Sequence, residues 1–166
     1  MQGDAAGDAS GDDTPAGAVR VGAPVPGSGA RGQPRPLRAI EAAMVVTDLG
    51  FIFYWSITAF GLLPPELAYS DYTDPRVVAW NWSFFPIDII ISATGLTSLW
   101  LLHRNNRAWL GLMVVSLTLT CASGMLAISY WAIRLEFDPA WWTPNLFLLL
   151  YPVPALVWLL RRLPRH

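Results

Sequence analysis

From residue 40 onward the chain alternates long apolar runs with short polar breaks. Four runs stand out, at about residues 40–63, 83–102, 108–133 and 141–160. Each approaches or exceeds the ~20 residues that a helix rising 1.5 Å per residue needs to cross ~30 Å of hydrocarbon. A helix of a soluble bundle would show a charged face opposite its apolar one, and these runs have none. The pattern predicts an all-α fold: an integral membrane four-helix bundle over residues 37–166.

The breaks between the runs carry a charge pattern. Arg35 and Arg38 precede the first run, His103, Arg104 and Arg107 fill the second break, and Arg161, Arg162 and Arg165 follow the last run. The other breaks are acidic or balanced, with Glu66, Asp71, Asp74 and Arg76 in one and Arg134, Glu136 and Asp138 in the other. Positive charge is retained on the cytoplasmic side of a membrane, so the alternation predicts a plasma-membrane protein with both termini in the cytoplasm. The aromatic residues fit this orientation. Trp80, Trp82, Trp131, Trp141 and Trp142, with Tyr69, Tyr72 and Tyr130, fall at the expected outer boundary, and Trp100, Trp109 and Trp158 at the inner one. Tryptophan favours the headgroup level because its ring is apolar and its N–H needs a partner. A site for a flat ligand between the outer rings is the sharper alternative to simple anchoring.

Residues 1–36 differ in kind, being Gly, Ala, Pro, Ser and Asp with almost no large apolar side chain. Such a segment cannot bury enough surface to offset its ordering entropy, and a disordered tail is expected. Composition agrees with the membrane reading, since only 14% of residues are charged against about 25% in soluble domains. A net charge of −1 gives no reason to expect a nucleic-acid partner. Cys121 is the only cysteine, so no internal disulfide forms. No phosphate loop, metal-ligand cluster, nucleophile–histidine pair or cofactor motif occurs.

Local signals set the ends. Asp74-Pro75 and Asp138-Pro139 pair an N-cap residue with proline at the first helical position, and Thr143-Pro144 is a competing start for the fourth helix. The second helix is expected to begin near Pro75 and kink at Pro86, the fourth to break at Pro152 and Pro154, and Pro64-Pro65 to end the first.

Chemistry concentrates in a few polar groups at bilayer depth. Asp48 lies in the first run and Asp88 in the second, with no Lys, Arg or His at comparable depth. A carboxylate there costs at least ~2.5 kcal/mol, and protonation is one escape. At helical spacing Asp88 shares a stripe with Asn81, Ser92, Gly95 and Ser98. The third run presents Ser116, Thr120, Ser123, Ala127, Tyr130 and Arg134, the fourth Asn145 and Tyr151, and the first Asp48 with Phe51, Ile52 and Trp55. Small and hydroxyl residues on one face let helices approach and hydrogen-bond in lipid. One polar pocket is therefore expected, built from Asp48, Asp88, Asn81, Trp55, Ser92, Thr120, Ser123, Asn145 and Tyr151. Hydrogen-bonded glue between helices is the plainer reading of the hydroxyls. Asp88 has another, since it falls in the first turn of a helix restarted at Pro86.

In VVTDLGFIFYW, DYTDPRVVAWNWSFFPIDIIIS and FDPAWWTPNLFLLLYP the chain resembles a family of short bacterial membrane proteins, YvaD-like, of unknown function. The likeness covers residues 40–160 and implies four helices. More distantly it resembles the EXPERA group, which includes the emopamil-binding sterol isomerases and the sigma-2 receptor. That likeness rests on intramembrane acids, with Asp48 and Asp88 as the residues carried over.

Three functions fit. The first is binding or transport of a small cationic or lipophilic ligand through Asp48 and Asp88, in a homodimer if transport is involved, with Gly95, Gly111 and Gly124 at the contact. The second is an accessory membrane subunit without a ligand. The third is an isoprenoid or sterol-type isomerase or cyclase, with an aspartic acid donating a proton and tryptophans stabilising a carbocation.

Overall fold

A computed structural model of the chain describes residues 34–62, 64 and 71–161. The expected disorder of the tail and the expected boundary role of Tyr69 lie outside those residues, as do the charges of Glu66, Arg162 and Arg165. The described part is helical, with no strand. In chain order the helices are α1 (Arg35–Ala59), α2 (Pro75–Trp82), α3 (Phe85–His103), α4 (Trp109–Ile133), α5 (Pro139–Leu150) and α6 (Pro152–Leu160). α2 with α3 and α5 with α6 each form one broken span, so four segments are long and apolar enough to cross a membrane: Arg35–Ala59, Pro75–His103, Trp109–Ile133 and Pro139–Leu160. The protein is a multi-pass membrane protein.

The caps explain the boundaries. Asp74 accepts from the Arg76 N–H at 2.8 Å and Asp138 from the Ala140 N–H at 2.9 Å, with proline at the first helical position in both cases. The second and fourth spans therefore start before the apolar runs do, at Pro75 and Pro139 rather than at 83 and 141. α1 ends earlier than Pro64-Pro65 would end it. Gly61 takes φ +63°, its N–H bonds Thr58 O at 3.1 Å, and the Leu62 N–H bonds Ile57 O at 2.9 Å. This is a Schellman closure, and a glycine that reaches the left-handed region freely stops the helix before the prolines are met. Asn105 (φ 53°) closes α3 in the same way, and Leu135 (φ 58°) closes α4.

Proline makes the two interior breaks. Pro86 lies at the start of α3, and the chain turns through Ser83 and Phe84 between α2 and α3. Pro152 opens α6 directly after Tyr151. Each proline removes an N–H from the ladder, so a carbonyl one turn back loses its usual partner.

Packing is sequential. α3 packs on both α1 and α4, and α4 packs on α5 and α6. The arginine-bearing ends of all four spans lie together. Leu37, Ile40 and Met44 of α1, Leu99 and Leu102 of α3, Met113 and Leu117 of α4, and Ala155 and Leu159 of α6 form one apolar core there. The other half of the interior is polar and aromatic. Thr47, Asp48, Asn81, Asp88, Ser92, Ser98, Ser116, Thr120, Ser123 and Asn145 are all buried, while Val46, Phe53, Ile90, Leu126 and Leu150 are exposed. Polar groups inside and apolar groups outside is the arrangement lipid requires, because hydrocarbon cannot satisfy a hydrogen bond.

Glycines on the expected dimer stripe are not all at the surface. A Cβ on Gly95 would lie 2.2 Å from Asp48 Oδ2, and one on Gly124 would lie 2.7 Å from Leu149 N and 2.8 Å from Asn145 O. Gly95 and Gly124 therefore serve packing within the bundle, where they let a side chain or a backbone come close. Gly111 alone of the three faces open space.

Candidate functional site

At the arginine-poor end the interior opens into a cleft of about 470 Å³. Its walls are α1 on one side and α4 with α5 on the other, and its floor comes from α2 and the start of α3. α1 packs mainly on α3 and α5 on α4, so the mouth lies between α1 and α5 and faces sideways. Phe53 and Phe147, both on the lining, are 66% and 43% exposed and stand at this mouth.

Asp88 is the only charged side chain on the lining among the described residues. It occupies the first turn of α3, as expected of a restart after Pro86, but its side chain caps nothing. Its carboxylate reaches across the bundle. Oδ2 accepts from Trp55 Nε1 of α1 at 3.0 Å, and Oδ1 accepts from Ser123 Oγ of α4 at 3.1 Å. One acid thereby joins three helices. A carboxylate offers about four lone-pair positions, so two donors leave capacity for a third. Trp55 is held by its own neighbours, with Tyr54, Trp82 and Phe85 rings at 5.1–5.3 Å.

Asn81 lies beside this acid in the lining. Its Oδ1 accepts from the Tyr54 hydroxyl at 3.1 Å, while its Nδ2 is buried with no acceptor. Asn145 spends its Nδ2 on Trp141 O at 2.8 Å, one turn back on its own helix.

The expected pocket divides in two. Trp55, Asn81, Asp88, Ser123 and Asn145 line the cleft. Asp48, Ser92, Thr120 and Tyr151 do not; they form a second, closed cluster toward the arginine end, and the two regions meet at Thr47. In that cluster Ser92 Oγ donates to Asp48 O at 3.1 Å, and Thr120 Oγ1 donates to Ser116 O at 2.9 Å. The Tyr151 hydroxyl approaches Thr47 and Thr120 and lies within electrostatic reach of Asp48, although Thr47 Oγ1 completes no hydrogen bond in good geometry. Helix register explains the division. Asp48 sits against Gly95 and Trp55 against Asp88, so α1 and α3 run antiparallel with the acids two turns apart, about 10 Å along the axis.

Other side chains differ from expectation. Ile52, grouped with Asp48 and Trp55, is 40% exposed and points away from the interior. Trp131, near the end of α4, is buried against Trp80, Tyr130 and Trp141. Among the outer rings Trp80 is stacked on Tyr130 at 4.0 Å and 18°, so no flat ligand lies between those two. Arg134, placed on the third helical stripe, lies at the surface. There it pairs with Asp71, and with Glu136 at 2.8 Å, and its guanidinium covers the Tyr130 and Trp131 rings at 5.7 and 5.4 Å.

Two further residues of the cleft stand outside the expected set. Tyr54 and Trp141 line the cleft, although the expected pocket included neither. Glu41 lies one heptad before Asp48 and two before Trp55. It is largely buried, 4.0 Å from His103 Nε2 at the arginine end and away from the cleft.

A family model described as "Family of unknown function (DUF5360)" matches residues 40–166. The chain belongs to this family. It is 45% identical over 117 residues to "Uncharacterized protein YvaD" of Bacillus subtilis (strain 168), a match that covers 70% of this chain and 88% of the relative. No solved structure matches it. Neither match supports the likeness to the EXPERA group.

Proposed function

We propose that this protein binds a lipophilic ligand that enters the cleft from the bilayer, with an apolar body against the aromatic walls and a positively charged head at Asp88. The carrying observation is the placement of Asp88: a buried acid with acceptor capacity left, alone in charge on a mostly apolar and aromatic lining. Ligand sites are typically ~300–1,000 Å³, mostly apolar, with a few placed polar groups, and the cleft falls in that range. Trp55 supports a cationic head further, since an indole face attracts cations. Asn81 Nδ2 offers a donor to a second polar atom of the ligand. Both termini are cytoplasmic in this reading, and the cleft occupies the outer half of the plasma membrane.

The test uses tryptophan fluorescence of the detergent-purified protein titrated with two probes of equal chain length, a long-chain tertiary amine and the corresponding alcohol. Saturable quenching by the amine, weaker for the alcohol and lost in Asp88→Asn, supports the proposal. Equal response to both probes, unchanged in Asp88→Asn, contradicts it.

A second reading is an accessory subunit without a ligand, favoured by one observation: Trp55 and Ser123 already bind Asp88, so the acid could serve only to tie three helices. In that case Asp88→Asn lowers folding yield and neither probe saturates.

A further inference from the structure

Asp48 is the least accommodated group in the interior. It is 1% exposed, and its Oδ2 has no hydrogen-bond partner. It does not have the two donors that serve Asp88. Instead its carboxyl is pressed onto the bare face of Gly95, so closely that a methyl group there would lie 2.2 Å from Oδ2 and 2.8 Å from Cγ. No described cation is near. Titratable groups near this region come from several helices. On α1 the nearest is Glu41, two turns toward the arginine end. On α3 Asp88 lies two turns the other way, and His103 is near Glu41. α4 presents the hydroxyls of Ser116 and Thr120. Tyr151, between α5 and α6, lies within electrostatic reach.

An ionised carboxylate is poorly held against glycine carbon in a site without a cation, because an unpaired buried charge is strongly penalised. A neutral carboxyl fits the site as packed. An ionised Asp48 is better served off Gly95, toward the hydroxyls of Thr47, Thr120 and Tyr151. The same face of α1 holds Trp55, two turns along, bonded to Asp88.

We infer that Asp48 is a proton-binding site built on Gly95, and that its proton controls the cleft. With the proton bound, α1 is seated on α3 and Trp55 occupies Asp88. With the proton released, α1 shifts, the Trp55–Asp88 bond loosens, and Asp88 holds a cationic head more tightly. Binding a cation at Asp88 and releasing a proton from Asp48 are then linked, each favouring the other. The charge balance is one positive charge gained for one lost. This rests on the ligand-binding reading of the cleft, but the proton site itself can be tested without a ligand.

The test has two arms. Infrared difference spectroscopy of the purified full chain follows the carbonyl stretch of a neutral carboxylic acid as pH is raised. A band that is present near neutrality, lost at alkaline pH and missing from Asp48→Asn supports the site. No such band, or one unchanged in Asp48→Asn, overturns it. In the second arm, affinity for the long-chain tertiary amine is measured against pH. Wild type is expected to bind about tenfold more tightly above the titration than below it. Asp48→Asn, which mimics the neutral acid in shape, binds weakly and loses that component of the pH dependence. Gly95→Ala displaces the carboxyl and binds tightly throughout. Asp48→Asn retaining the full wild-type pH dependence overturns the linkage, because Asp88 alone would then account for it. If no form binds the amine, the cleft reading and the linkage both fail, and the spectroscopic arm still decides the proton site.

Discussion

The indole of Trp55 donates to Asp88 across the α1–α3 seam at 3.0 Å, and the same carboxylate takes a second bond from Ser123 of α4. The acid is thus a three-helix tie and a wall of the cleft at once. Trp55→Phe tests the tie separately, because it keeps the ring among Tyr54, Trp82 and Phe85 and removes only the N–H. Hydrogen bonds between membrane helices contribute about 0.5–2 kcal/mol, and a loss in that range is expected from thermal unfolding in detergent. Ser123→Ala should cost a similar or smaller amount. The double variant should cost more than the two singles together, since Asp88 is then left without a donor.

Gly124 is where two backbones come closest. Gly124→Ala places a methyl group 2.7–2.8 Å from main-chain atoms of α5, which cannot rotate away as a side chain could. Overpacking of this kind costs about 1–3 kcal/mol. Gly111→Ala, in open space, should instead be neutral or stabilising by up to about 1 kcal/mol, because alanine favours the helix. Melting temperatures of the two variants measured side by side give the contrast. Equal effects would mean that α4 and α5 do not approach at Gly124.

Leu135 holds a left-handed conformation at φ 58° and is 92% exposed. A side chain there carries a steric penalty of about 1–2 kcal/mol, while its neighbours make the same closure that Gly61 makes on α1. Leu135→Gly is expected to raise stability by about 1 kcal/mol or less after the added chain entropy of glycine. Unfolding midpoints of the purified variant check the sign.

Topology is testable through the single cysteine. In a Cys121→Ala background, a cysteine placed at Asn105 should react with an impermeant thiol reagent only after intact cells are opened. One at Asp71 should react from outside. The reverse pattern would invert the orientation that the arginines predict.

Much of this architecture is legible in the sequence because lipid imposes a simple rule on it. Asn81, Asp88, Ser92, Gly95 and Ser98 recur at helical spacing, and all five face the interior, since no other face could hold them. The caps at Asp74 and Asp138 are legible because proline follows each. What sequence spacing could not supply was the register between helices. Asp48 and Asp88 are equally buried acids in the sequence, and only the opposition of Asp48 with Gly95 separates them into two sites. The face of Gly124 is not legible either, because a small residue suits an internal contact as well as a surface one. Gly61 pre-empted Pro64 for a local reason, which its own freedom at positive φ supplied.

Ligand entry from the bilayer depends on the cleft opening sideways between α1 and α5. The direct measurement is photolabelling of the full chain in lipid vesicles with a long-chain tertiary amine carrying a photoreactive group, followed by peptide mapping. Labels should concentrate on residues 50–57 of α1 and 140–148 of α5, be displaced by excess unlabelled amine but not by the matching alcohol, and fall sharply in Asp88→Asn. Labels scattered over the lipid-facing surfaces of all four spans, and indifferent to competitor and to Asp88, would contradict it.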